Sequence, residues 1–295
     1  MITAYQNEQE WLEARSAEGR IPSSDVATVL GINQFKTRLQ LYAERRGESE
    51  PMKKTQAVER GHRLGHILEP LLSEMYEEET GRSVKDPGDY TIYTTDDYPC
   101  FSCTPDRISH DRVVQLKTVG AYMGDRWKED VPLYVQSQVQ VEMCCVGHDL
   151  GDVAAYLFAG HEFLIVEQER NQGFLDRSHQ LCLNFLECVK LGIPPDPVER
   201  DSALVNYLIG RTPVEESEIK LPESAIELDE IIVRAKEQKK FAERDTKSAQ
   251  NRMKMLIGKH SVGVLPDGQR YTLKTVSKKA HEVKASEYRE LRRVK

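Results

Sequence analysis

The sequence predicts an α/β fold, with a mixed central sheet flanked by helices and a C-terminal helical arm and β-hairpin behind it. Two observations carry this. Over the first two thirds of the chain, stretches with apolar residues at helical spacing alternate with short β-branched and aromatic runs. From about residue 225 the pattern becomes one long heptad-spaced helix and then a hairpin.

Taken in order, Ser24 is the expected N-cap of a short helix, "DVATVLGI", closed by Gly31. Residues 54–81 form an amphipathic helix in which Leu64, Leu68, Leu71, Leu72 and Met75 mark the buried face and Gly81 the end. "DYTIYTT" (89–95), "RVVQLKT" (112–118), "VAAYLFAG" (153–160) and "EFLIVEQER" (162–170) read as strands. Helices are expected over 132–147 and 173–192. The prolines of "GIPPDPVE" (192–199) then punctuate the chain. The expected organisation is a core over 1–198, a linker over 199–224 and an appendage over 225–295. In the appendage, residues from Leu228 to Leu256 alternate four and three apart in a weak heptad seam, Gly258 stops the helix, and Asp267-Gly268 turns a hairpin over 261–277.

Composition narrows the class. Apolar residues make up 39% and charged residues 30% of the chain, as in globular domains. No apolar run approaches the ~20 residues of a membrane helix, and the first residues lack a basic leader with an apolar run, so a cytoplasmic protein is expected. Six cysteines without paired CxxC spacing read as reduced, buried thiols rather than a zinc site. The net charge of −7 argues mildly against a generic nucleic-acid binder, although basic residues confined to a channel are compatible with an acidic exterior.

The stretch that carries chemistry is "TPDRISHDRVVQLKT" (104–118). Asp106 and the strand at 112–118 can lie side by side, and a carboxylate on each would bind one divalent ion. Lys117 shares a strand face with position 115, where a cation can hold a water or neutralise charge on a phosphate. The residue at 115, however, is Gln. Glu69 falls on the apparently buried face of its helix, and a buried carboxylate needs a partner or a metal. Gln138 and Gln140 similarly punctuate an apolar helix.

Four motifs in order resemble the phage lambda exonuclease and YqaJ-like viral recombinase family of the PD-(D/E)xK nuclease superfamily: "WLEARSAEGRIPSSDVATVLG", "RGHRLGHILEP", "TPD…QLK" and "YVQSQVQVEMCCVG". The resemblance runs from about Trp11 to Pro195. It implies a Mg²⁺-dependent enzyme, with Mn²⁺ as a substitute, that digests one strand of linear double-stranded DNA from the 5′ end. It further implies a ring-shaped trimer, a single-strand-annealing protein as partner and a phage or prophage origin. By the same resemblance, Asp106, position 115 and the Leu116 carbonyl would ligate the metal. Lys117 and Gln138 would orient the attacking water, and Glu69 would support the metal region. Arg15, Ser24 and Thr104 would hold a 5′-phosphate, although the spacing from Arg15 to Ser24 is longer than in lambda exonuclease.

The family pattern has Glu at 115. A neutral, nearly isosteric Gln inside otherwise intact motifs reads as an inactivating replacement. A naturally impaired relative, or a charge supplied by Asp111, would also account for it. Two rival functions stand beside the nuclease: a catalytically inactive DNA-end-binding scaffold, and a Cas4-like nuclease with an iron–sulfur cluster.

Overall fold

The computed structural model describes residues 1–17, 19–49, 55–210 and 218–276. They fall into two compact units, 1–212 and 213–295. The first unit opens with β1 (Ile2–Ala4), α1 (Glu8–Arg15), β2 (Ile21–Pro22), α2 (Ser23–Val29), α3 (Arg38–Arg45) and α4 (Gln56–Thr80). There follow β3 (Thr91–Thr94), β4 (Phe101–Cys103), β5 (Arg107–Ile108), β6 (Arg112–Val119), α5 (Gly124–Glu129) and α6 (Leu133–Val146). The unit ends with β7 (Leu150–Leu157), β8 (Glu162–Glu169), α7 (Gln172–Leu191) and α8 (Ser202–Gly210).

The strands make two four-stranded sheets, ordered β1-β3-β4-β2 and β5-β6-β7-β8. Both are mixed, with β2–β4 and β6–β7 as the parallel pairs. In the second sheet β6 is covered on both faces. Val113 packs with Val135, Val139 and Met143 of α6, while Val114 and Leu116 pack with Leu72 and Tyr76 of α4. Burial on two faces explains why Val113, Val114 and Leu116 of β6 break a simple apolar–polar alternation. The α6 side is close: a Cβ at Gly151 would lie 2.6 Å from Val139 Cγ1 and 3.1 Å from Val113 Cγ2.

Three expectations need correction. Ser24 does not cap α2; the helix starts directly after Pro22, and the Ser24 hydroxyl instead accepts from Arg15. Helix α4 is capped by Thr55 and closed by Gly81 at φ 69°, but only its C-terminal half is covered. The second sheet lies against Leu68, Leu72, Met75 and Tyr76, leaving Leu64 and Leu71 exposed. The first part of the expected linker, 199–210, is instead a 3₁₀ turn followed by α8. It is tied to the core because the buried Asp201 accepts from Thr37 Oγ1 at 2.5 Å and from the Val198 N–H at 2.9 Å.

The second unit holds α9 (Ser224–Ile257), β9 (Val262–Val264) and β10 (Arg270–Thr272). Gly258 ends α9, the two strands pair antiparallel, and Gly268 turns between them at φ 88°. The heptad residues are helical, and Ile257 is the one buried residue of α9. Positions 211–217 of the expected linker and 277–295 of the expected appendage lie outside the described residues. No helix among the described residues is long and apolar enough to cross a membrane.

The approach of α6 to β7 makes Gly151 a sensitive position. Gly151→Ala is expected to destabilise the first unit by about 1–3 kcal/mol through overpacking, read as a lower denaturation midpoint with an unchanged slope. An unchanged midpoint would mean that α6 is free to move away.

Candidate active site

Asp106 stands where the two sheets meet. β4 of the first sheet ends at Cys103, and after Thr104-Pro105-Asp106 the chain enters β5 of the second. Register then places its neighbours. β5 pairs antiparallel with β6, Arg107 opposite Val114 and Ile108 opposite Val113, so Asp106 is carried toward Gln115. Asp106 Oδ2 accepts the Leu116 backbone N–H at 2.8 Å and the Gln115 side-chain N–H. Lys117 lies two residues further along the same strand face and shares the cleft.

Facing this strand, α6 continues the polar chain. Gln138 Nε2 donates to Gln115 Oε1 at 2.8 Å and to Glu142 Oε1 at 2.9 Å. The same Glu142 oxygen accepts from the Ser23 hydroxyl at 3.1 Å. Thus one continuous path runs from Ser23 and Glu142 through two amides to Asp106. Glu142 is fully buried, and its Oε2 has no hydrogen-bond partner. Burial, reinforced by the Asp106 charge, raises its carboxyl to about 8, against bonds from Gln138 and Ser23 and the Lys117 charge. A neutral acid suits the geometry, with Oε1 as the doubly accepting carbonyl oxygen.

Desolvation also raises the Asp106 carboxyl, opposed first by the Lys117 charge and then by the Leu116 N–H. Glu69 reaches the same cleft from α4. It is raised by burial and by Asp106, and lies 3.1 Å from His66 Nδ1.

The cleft, about 960 Å³, also brings in Arg15, Ser24 and Thr104. Arg15 donates to Ser24 Oγ at 2.6 Å and lies 4.9 Å over the Trp11 ring. Burial lowers its guanidinium from the ordinary value without threatening its charge. Thr104 is already committed. Its hydroxyl donates to the Thr91 carbonyl and accepts from Trp11 Nε1, which leaves it no hydrogen for a phosphate. Gln140 turns out to be a tether, bonded to the Glu169 carbonyl and the Asn171 N–H. Asp111 is exposed and paired with Arg112 at 2.9 Å, so it supplies no charge at position 115.

The side chains as they stand do not make a hard-cation site. Gln115 turns its oxygen to Gln138 and its N–H toward Asp106, so a donor points where a cation would need an acceptor. Among the described residues, no three of His, Cys, Asp and Glu are placed to hold a common ion. Five of the six cysteines are buried, and none is disulfide-bonded.

Sequence reasoning passed over Glu142, Ser23, Trp11 and the two cleft histidines, His62 and His66. Glu142 had a signal: a carboxylate between Val141 and Met143, one helical turn from Gln138, demands a partner.

These sheets and helices share the fold of solved alkaline exonucleases. An alkaline exonuclease, LHK-Exo from Laribacter hongkongensis, has a TM-score of 0.51 at 21% identity over 67% of this chain and 99% of that one. LHK-Exo in complex with dAMP matches with the same TM-score at 22% identity, over 67% and 99%. Residues 10–149 match the model of the YqaJ-like viral recombinase domain. The uncharacterized protein YqaJ of Bacillus subtilis (strain 168) is 26% identical over 204 residues. That match takes in 68% of this chain and 61% of YqaJ, so the chain spans less than two thirds of that relative.

Because Glu142 holds its proton more tightly folded than unfolded, its contribution to stability is greatest at low pH. It declines as pH rises from the ordinary carboxylate range to about 8. Glu142→Gln removes this titration. The wild-type thermal midpoint, measured relative to that of Glu142→Gln, is therefore expected to fall across that window and level off above it. A pH-independent difference would show that Glu142 does not titrate there.

Proposed function

We propose that this chain works at the ends of linear double-stranded DNA, as a 5′-to-3′ exonuclease of the phage-recombination type whose hydrolytic step is disabled by Gln115. The observation that carries the reading is the convergence of Asp106, Lys117 and Gln138 in one cleft, with an amide at the position between them. Lys117 supplies a cation to a phosphate as negative charge develops on it. Gln138 offers an adjustable amide, and Glu69 adds a second carboxylate at the cleft. The half-buried Arg15, backed by Ser24 and Trp11, suits a terminal phosphate. In such an enzyme Mg²⁺, or Mn²⁺ in its place, supplies Lewis-acid chemistry and a water of lowered pKa. Here an amide stands at position 115, where a carboxylate would help hold it. The remaining features of the proposal are a ring-shaped homotrimer and a 3′ tail passed to a single-strand-annealing protein.

Gln115→Glu is expected to convert the protein into a Mg²⁺-dependent exonuclease, at least about a hundredfold above the unaltered chain. Duplex DNA labelled separately at its 5′ and 3′ ends would lose the 5′ label first. Adding Lys117→Ala to that variant should abolish the gain. In the same background, Arg15→Ala should reduce the preference for 5′-phosphorylated over 5′-hydroxyl ends by about tenfold. If Gln115→Glu binds DNA ends without cutting them, the chain is instead an end-binding scaffold. The Gln115 amide already engaging Asp106 is the observation that favours this second reading.

A further inference from the structure

Among the described residues, Glu142 is the one fully buried carboxylate linked to the cleft by hydrogen bonds, and the reaction scheme above gives it no task. Its partners are specific. Oε1 takes one bond from Ser23, at the start of α2, and one from Gln138, a helical turn back on α6. An amide side chain is two-faced, with donors on nitrogen and an acceptor on oxygen. Turning it over exchanges them at almost no steric cost. Something must therefore decide which face each amide presents.

We propose that Glu142 is a positioning residue that sets the direction of both amides. Its Oε1 is an acceptor toward α6, so Gln138 must offer Nε2. The other hydrogen of that nitrogen then points to β6, so Gln115 must answer with Oε1. Gln115 is thereby left with its N–H facing Asp106. In the order Glu142, Gln138, Gln115, Asp106, Gln138 donates to both of its neighbours and Gln115 donates onward to Asp106, so an acceptor stands at each end. Ser23 reinforces the far anchor by fixing the Glu142 carboxyl from the other side. Were residue 142 an amide as well, its link to Gln138 could reverse, and Gln138 would no longer be obliged to present a donor to Gln115. In this arrangement Gln115 fits its neighbours as a bridge between two acceptors, and Glu142, which never touches it, holds it in that state.

The proposal rests on the nuclease reading only for its activity arm, and the two can fail separately. The main measurement is hydrogen exchange of the Gln115 and Gln138 side-chain N–H₂ groups by ¹⁵N NMR on the full chain. The signals would be assigned through Gln115→Glu and Gln138→Leu. In the unaltered protein the Gln115 N–H₂ should be protected, and Glu142→Gln should accelerate its exchange at least about tenfold although residue 142 makes no contact with it. Ser23→Ala, which removes one of the two donors to Glu142 and leaves the amides intact, should accelerate it about two- to fivefold. This second variant decides the matter if Glu142→Gln does not fold. An unchanged Gln115 signal in either folded variant overturns the proposal and makes Glu142 a packing residue.

In the Gln115→Glu background, Glu142→Gln should lower kcat about tenfold with KM unchanged, because Gln138 loses its fixed direction. Equal rates for the single and double variants would overturn the activity part. If Gln115→Glu alone leaves DNA intact, the nuclease reading fails, while the exchange data still judge Glu142.

Discussion

The whole site hangs on the oxygen of Asp106 that accepts the Leu116 backbone N–H. That bond joins the last residue of the linker between the two sheets to the middle of β6. A carboxylate held by a backbone N–H is located by the fold itself, and not by the conformation of a flexible partner. The other cleft residues are then placed relative to it. Lys117 follows from strand periodicity, Gln115 from antiparallel register and Gln138 from the packing of α6 on the same sheet face. The close approach at Gly151 keeps α6 near enough for the amides of Gln138 and Gln115 to meet.

Charge in the cleft is arranged against the balance of the chain as a whole. The protein carries a formal −7, yet Arg15, Arg107, Lys117 and two histidines line the cleft beside Asp106 and Glu69. Local placement of a few cations, and not net charge, decides whether phosphate is welcome there. Desolvation acts on both signs. It raises the carboxyls of Asp106, Glu69 and Glu142 and lowers the Arg15 guanidinium. Only the arginine keeps its charge regardless, which suits it to a half-buried position stacked on Trp11.

What could be read from the sequence was what short-range periodicity specifies. The hairpin that brings Asp106 to position 115, the helices now seen as α4, α6 and α7, and the long α9 all follow from spacing alone. Arg15 and Ser24 were brought together by the resemblance and not by spacing, and their bond to each other was not foreseen. What escaped depends on partners far along the chain. The tie between Asp201 and Thr37 spans 164 residues, and without it a proline-marked stretch looks like linker. The leucines of α4 show an apolar stripe but not how far the sheet extends beneath it. Thr104 looked available because nothing local reveals that its hydrogen is spent on Thr91. Glu142 looked like one more polar residue on a helix until Ser23, 119 positions earlier, was found against it.

The sheet junction at Asp106 also governs when the site can exist during folding. β5 and β6 can pair early, since their hairpin is local. The contacts that complete the cleft join Trp11 to Thr104 and Ser23 to Glu142, across 93 and 119 residues. Closing such long loops is slow compared with forming a hairpin or a helix. A chain still leaving the ribosome, or one whose two sheets have not docked, therefore holds Asp106 and Lys117 without the Arg15 wall or the α6 amides. Cleft assembly is tied to completion of the first unit, so partly folded chains hold no finished pocket.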